Sequence, residues 1–423
     1  MRAFVELAHR DRRLPLFFFP RSFILPLDNN YRRPAGGAVS VGNETSSVST
    51  AFSPAKILGL VVNPIAGMGG TVGLKGTDGK AILEKAITLG AKPIAPARTE
   101  IFLSELKSIS SSVHLVVGAG LMGAQEAQNC GLNFTVVGEE KAETSPDDTK
   151  EIAEKIVEAK ADLLVFCGGD GTARNIMDTA DSQFPVLGVP TGVKMHSAVF
   201  AVNPKAAAQI ASHFLSGGLS LREAEVMDID EEAFRTGRVS AELYGYLLVP
   251  YESRLIQEAK MATIVTESEL RNQAAIAVYM IETMKPDTAY IIGPGTTTRT
   301  IGDLLDAKKT LLGVDVFINK RLVAQDASET QILQAISGMP TQIIVTPIGG
   351  QGFLFGRGNQ QISPEVIRRV GLKNITVIAT NSKMQSLQTL RVDTGDPGLD
   401  AAFRERKLRV IKDYRVEYQV SVE

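Results

Sequence analysis

The chain has 423 residues, 44% hydrophobic and 22% charged, an ordinary globular composition that excludes a disordered or fibrous protein and allows two or three domains. Its 45 Lys plus Arg nearly cancel 47 Asp plus Glu, so the overall charge gives no reason to expect a nucleic-acid partner. Two cysteines and four histidines exclude a disulfide framework, a four-cysteine metal site and a histidine-rich centre, and no apolar run approaches the ~20 residues that span a bilayer. A cytoplasmic protein with no membrane partner is the expectation.

Residues 1–33 carry seven Arg, no Lys and three acids, and residues 35–54 are rich in Gly, Ser and Thr. An organelle transit peptide and an upstream extension both fit. Glu6, Asp11 and Asp28 spoil the transit pattern and favour the extension. The segment 1–54 is expected to be a disordered or extension tail outside the core.

From residue 56 onward, short apolar β-branched runs alternate with helical stretches. Strands are expected at 57–62, 114–117, 134–137, 163–166 and 186–189, with helices at 80–89, 147–159, 174–179 and 204–214. Apolar runs without polar alternation mean both strand faces are covered, which predicts a doubly wound parallel sheet in an N-terminal lobe, residues 55–218. The stretch 222–266 reads as an antiparallel ribbon. Strand and helix alternate again at 289–292, 297–305, 311–318, 329–336 and 342–345, predicting a second α/β lobe, mixed and partly antiparallel, over 219–423.

In a parallel sheet every strand-to-helix loop lies on one edge, so the chemistry is sought there. Gly168-Gly169-Asp170-Gly171-Thr172 follows the run at 163–166. Its glycines suit close approach of an anion to backbone amides, and a following helix adds positive charge. An acid in such a place repels the anion, unless Asp170 accepts a proton from an attacking hydroxyl or holds magnesium. The structural alternative is a turn with Asp170 as helix N-cap. Asn63 and Gly67 lie in a second glycine loop, 63–79, whose backbone suits phosphate, with Asn63 bonding across to the neighbouring loop. The spacing fails as a Walker A motif because Leu74 takes the first glycine position.

Gly192, Lys194 and His196 follow the fifth strand, where they would contact phosphate or the acceptor. His196 equally suits a structural role. Gly293, Gly295, Thr296, Thr297 and Thr298 precede Arg299, a combination suited to phosphate or a ribose, with Thr296 as an ordinary N-cap the alternative. Arg357, in the long loop 346–361, would neutralise a phosphate or lie on the surface. Acids at 225, 228, 230, 231 and 232 form a cation site or a solvated turn, and no metal-ligand set is assigned. Gly118, Gly120 and Gly123 with Glu139 satisfy the dinucleotide fingerprint on paper, but the intervening helix is short.

Gly168-Gly169-Asp170-Gly171-Thr172 resembles the signature of the NAD kinase, diacylglycerol kinase and sphingosine kinase superfamily. Asn63-Pro64-Ile65-Ala66-Gly67 is similar to the first-strand loop of its lipid-kinase branch, and 293–298 to the Gly-Ser-Thr loop of NAD kinases without the following Ala-Tyr. Residues 56–420 resemble the ATP-NAD kinase-like group associated with acetoin catabolism. The resemblance implies ATP with a divalent cation, usually Mg2+, and NAD as the acceptor substrate. It implies that Gly168, Gly169, Gly171 and Thr172 surround phosphates and that Asp170 activates the acceptor hydroxyl. The Asn-Glu pair that holds the adenosine ribose in NAD kinases has no clear counterpart.

The leading expectation is a kinase phosphorylating the 2′-hydroxyl of NAD. A kinase of a small polyol or acetoin-pathway metabolite, a non-catalytic nucleotide sensor and an oxidoreductase are the alternatives. Partners are small-molecule nucleotides, and a homo-oligomer is compatible with all four.

Overall fold

The computed structural model describes residues 56–74, 80–109, 112–180, 183–193, 195–229, 241–257, 266–348, 352–387 and 389–423. The tail 1–54 and Lys194 lie outside the described residues. Strands β1 (Lys56–Val62), β2 (Val113–Gly118), β3 (Phe134–Val137), β4 (Leu163–Gly168) and β5 (Val186–Pro190) form one sheet in the order β3-β2-β1-β4-β5. Every pair in it is parallel. All six residues of β4 are buried, as a strand covered on both faces requires. Gly59 and Gly188 set how closely the covers approach. A Cβ on Gly59 would stand 2.1 Å from Ile156 of the helix Pro146–Glu158, and one on Gly188 2.4 Å from the Phe200 ring.

The chain leaves β1 toward β2 and leaves β4 toward β5, so strand order reverses between β1 and β4. At such a reversal the flanking loops splay apart, and the crevice at the strands' carboxyl ends is where doubly wound sheets take ligands.

The antiparallel pair β6 (Leu221–Ile229) and β7 (Ala241–Pro250) realises the first part of the expected ribbon; residues 251–257 form no strand, and 258–265 lie outside the described residues. Its buried Ala224, Val226, Leu247 and Val249 join the core of the first sheet.

The later strands are β8 (Ala289–Ile292), β9 (Asp315–Ile318), β10 (Arg321–Ala324), β11 (Thr341–Val345), β12 (Phe353–Phe355), β13 (Ile375–Ile378), β14 (Arg391–Val392), β15 (Lys407–Asp413) and β16 (Val416–Ser421). Seven make a mixed sheet, β10-β9-β8-β11-β13-β15-β16, and β12 pairs with β14. Within β8, Ala289 and Ile291 enter one hydrophobic cluster while Tyr290 and Ile292 enter the opposite one. The period of two thus feeds two covered faces. The second lobe is α/β, as expected.

Three elements differ from expectation. The helix expected at 174–179 begins at Asp170 and runs to Met177. Gly171 in its first turn costs about 1 kcal/mol relative to Ala, which burial of Ala173 and Ile176 offsets. The strand expected from 311 begins at Asp315, whose buried carboxylate accepts from Lys309 Nζ and the Thr310 amide and hydroxyl, holding that segment as a turn. The helix Ala95–Leu106 was not among the expected elements; Pro96 falls in its first turn, where a missing N–H costs nothing. Among the described residues no helix is long and apolar enough to cross a membrane.

Candidate active site

Three loops converge at the crevice beside β1 and β4. Asn63 leaves β1 with its amide donating to Cys167 O at 2.9 Å, and its side-chain Nδ2 donates to Thr172 Oγ1 at 3.1 Å. The bond expected across to the neighbouring loop is therefore present. Gly67, at φ +74°, runs against the loop after β5, where an added Cβ would lie 1.8 Å from the Thr191 carbonyl oxygen. Gly169 and Gly192 face each other, and a Cβ on Gly192 would stand 2.9 Å from Gly169 Cα. A Cβ on Gly168 would meet the Thr172 hydroxyl at 2.3 Å.

These glycines make room for neighbouring protein atoms first. The helix Asp170–Met177 opens at the same crevice. The amides of Gly171 and Thr172 in its first turn have no acceptor within the helix, and its dipole points positive at that end.

Asp170 is the first residue of that helix, and its N-cap is Gly169, with extended backbone at φ −119° and ψ −165°. The N-cap reading of Asp170 is thereby excluded. The carboxylate, 9% exposed, reaches across to the loop after β5, where Oδ2 accepts from the His196 amide at 2.8 Å and Oδ1 from the Ser197 amide at 2.9 Å. One amide on each oxygen orients the carboxylate. Ser197 is anchored in turn, its Oγ accepting from the Met227 amide and its carbonyl from Gln257 Nε2. His196 is 3% exposed and supplies its backbone amide to Asp170.

The expected residues of the second lobe form a separate group at the edge of the second sheet. Gly295, at φ +127°, is the N-cap of the helix Thr296–Leu304, so Thr296 is its first residue rather than its cap. Thr297 and Thr298 are fully buried; Thr298 Oγ1 donates to Gly295 O at 2.9 Å, and Thr297 Oγ1 has no partner. A Cβ on Gly295 would meet the Thr346 methyl at 2.5 Å, and one on Gly293 would stand 3.2 Å from Val345. Lys383, which no local pattern singled out, donates to Thr346 Oγ1 at 3.3 Å and Pro347 O at 3.1 Å. Desolvation pulls its ammonium down to about 8, with the charge of Glu269 opposing.

Arg357 is not a surface side chain. It is 3% exposed, stacks over Phe353 at 4.9 Å, donates to Val202 O at 3.0 Å and pairs with Asp393 at 3.1 Å. Arg98 binds the same Asp393 through both terminal nitrogens and gives its Nε to Pro190 O. Burial opposes ionisation of Asp393, but the two guanidiniums hold its carboxyl below the usual range. Desolvation brings Arg357 down to about 10. Burial likewise pushes the Cys167 thiol up to about 12, so it is no nucleophile.

At the paper fingerprint the helix after β2, Ala124–Asn129, is only six residues long. Of the acidic cluster, residues 230–232 lie outside the described residues. Among the described residues no group of three or more His, Cys, Asp or Glu is placed to hold a metal ion.

Two family models match the chain and together cover more than half of it: ATP-NAD kinase N-terminal domain over residues 58–219, and ATP-NAD kinase C-terminal domain over residues 287–422. No curated protein and no solved structure matches it.

Proposed function

The chain belongs to the ATP-NAD kinase-like family, and from that premise we propose that it is an ATP-dependent phosphotransferase acting on the 2′-hydroxyl of NAD to make NADP. One observation carries the reading. Asp170, oriented by two backbone amides, stands at the strand reversal in the first turn of a helix whose leading amides have no acceptor within the helix. The acceptor oxygen attacks the γ-phosphorus, its proton passes to Asp170, and the bond to the β-phosphate oxygen breaks to release ADP. The amides of Gly171 and Thr172 stabilise charge spreading over the phosphoryl oxygens.

Magnesium usually keeps several waters and takes one or two carboxylates plus phosphate oxygens. An ion of that kind would come with the nucleotide's phosphates rather than sit in a dedicated protein cage. Such an ion neutralises charge on the β- and γ-phosphates. Free, buried Cys130 and Cys167 support the cytoplasmic location that completes the proposal.

A smaller acceptor, a polyol or acetoin-pathway metabolite, is the second reading. It is favoured by the full burial of Thr297 and Thr298, which keeps those hydroxyls from a ribose. The test is transfer from γ-labelled ATP with Mg2+ to NAD and, in parallel, to short polyols. Labelled NADP supports the first reading and a labelled polyol the second. Nucleotide binding with no transfer to either would leave a sensor.

A further inference from the structure

A cavity of about 270 Å³ lies between the helix Ala95–Leu106, the loop after β5 and the segments 356–364 and 393–395. The volume is at the small end for ligand sites, room for a small metabolite rather than a dinucleotide. Ile94, Ala97 and Ile101 give it an apolar wall. Opposite in character are Arg98, Arg357 and Asp393, the charged residues of its lining among the described residues.

The charges do not balance. One carboxylate serves two guanidiniums whose side chains are 11% and 3% exposed, which leaves one positive charge in a place with little water to screen it. The hydrogen bonding is also incomplete. Arg357 Nε, Thr191 Oγ1 and Gln360 Oε1, all on lining residues, have no partner. Burying polar groups in that state opposes folding. An apolar recess with surplus positive charge and unsatisfied polar groups is matched by a compact ligand with one anionic end.

We propose that this cavity binds a small metabolite bearing a single carboxylate or phosphate group on a short apolar body. Gly67 and Gly192 of the nucleotide crevice also line this cavity, so the proposal deepens the phosphotransferase reading and rests on it. The anion would meet the face of the Arg98–Asp393–Arg357 cluster, and the apolar body would cover Ile94 and Ile101.

The test is calorimetric titration of the full chain with 2-hydroxybutyrate, with glycerol 3-phosphate and with neutral 1,2-butanediol. At least one anion should bind, and the diol should bind at least tenfold more weakly; which anion binds separates a carboxylate from a phosphate ligand. Ala97 is exposed on the helix, so Ala97→Phe fills the cavity without disturbing the core. That variant should lose anion affinity at least tenfold, with its melting temperature unchanged. Binding of neither anion, equal binding of the diol, or wild-type anion affinity in Ala97→Phe would each overturn the proposal. The readout is binding, so its failure and a failure of phosphoryl transfer are told apart.

Discussion

Asn63 and Thr172 are 109 positions apart in the chain, yet Nδ2 of the first donates to Oγ1 of the second across 3.1 Å. The bond locks the loop after β1 to the helix that Asp170 opens. Thr172→Val keeps the shape and removes the acceptor, leaving a part-buried amide donor unsatisfied. A loss of about 1 kcal/mol is expected in urea unfolding, with a raised KM for ATP. An unchanged midpoint and KM would show that the loops hold together without it.

Replacing Asp170 with Asn tests the proton acceptor directly. The amide keeps one acceptor oxygen but sets an NH2 group against one of the two backbone amides, so some thermal stability is lost. Turnover should fall by about 10²–10⁴ while KM for ATP changes little. A variant that melts lower but turns over normally would make Asp170 a structural tie alone.

Two glycines with left-handed backbone separate crowding from conformational strain. Gly67 has φ +74° and a Thr191 oxygen 1.8 Å from where a Cβ would stand, whereas Gly90 has φ +82° and nothing within 4 Å. Gly90→Ala should cost about 1 kcal/mol, the strain term alone. Gly67→Ala should cost at least twice that and weaken nucleotide binding. Equal losses in chemical denaturation would mean that the loop contact at Gly67 yields freely.

Asp393 holds two buried guanidiniums, so Asp393→Asn leaves both without a counter-charge. A loss of about 3–5 kcal/mol is expected at pH 7. Because the folded carboxyl titrates below its unfolded value of about 3.9, its contribution is complete above that pH. It disappears as pH falls through the lower, folded value. Unfolding curves of wild type and variant should therefore approach each other in strong acid.

Glu126 runs the opposite way. It is 1% exposed, neither oxygen has a partner, and burial, with the charge of Glu100 adding, pushes its carboxyl up to about 7. Between the unfolded value of about 4.3 and about 7, the folded chain keeps a proton that the unfolded chain has released. Its contribution therefore lowers stability as pH rises across that window and is level above it. Glu126→Gln should abolish the slope and be more stable at pH 8 by about 1–3 kcal/mol. An identical pH profile in the two proteins would place the residue in solvent.

The strands of the first sheet were legible because a doubly covered strand must be apolar throughout, and β4 is. The glycine loops were legible as a group, but which backbone each glycine meets was not: at Gly67, Gly169 and Gly192 the missing side chain admits a neighbouring loop. Two partners of Asp170 are main-chain amides, which carry no residue signature. Arg98 and Asp393 lie 295 positions apart, and only the fold makes them neighbours. The hidden burial of Arg357 has the same origin, since a cation in a long loop looks solvated until its partners are known.

Strand β12 divides its side chains between two interiors. Phe353 lies in the hydrophobic cluster of the first sheet, while Leu354 and Phe355 belong to that of the second. One strand is thus a shared key in two locks. A chain cut between its halves would leave the amino-terminal piece with a ring-sized hole and the carboxy-terminal piece with a bare aromatic in water, so neither half should be recoverable as a well-behaved protein by itself.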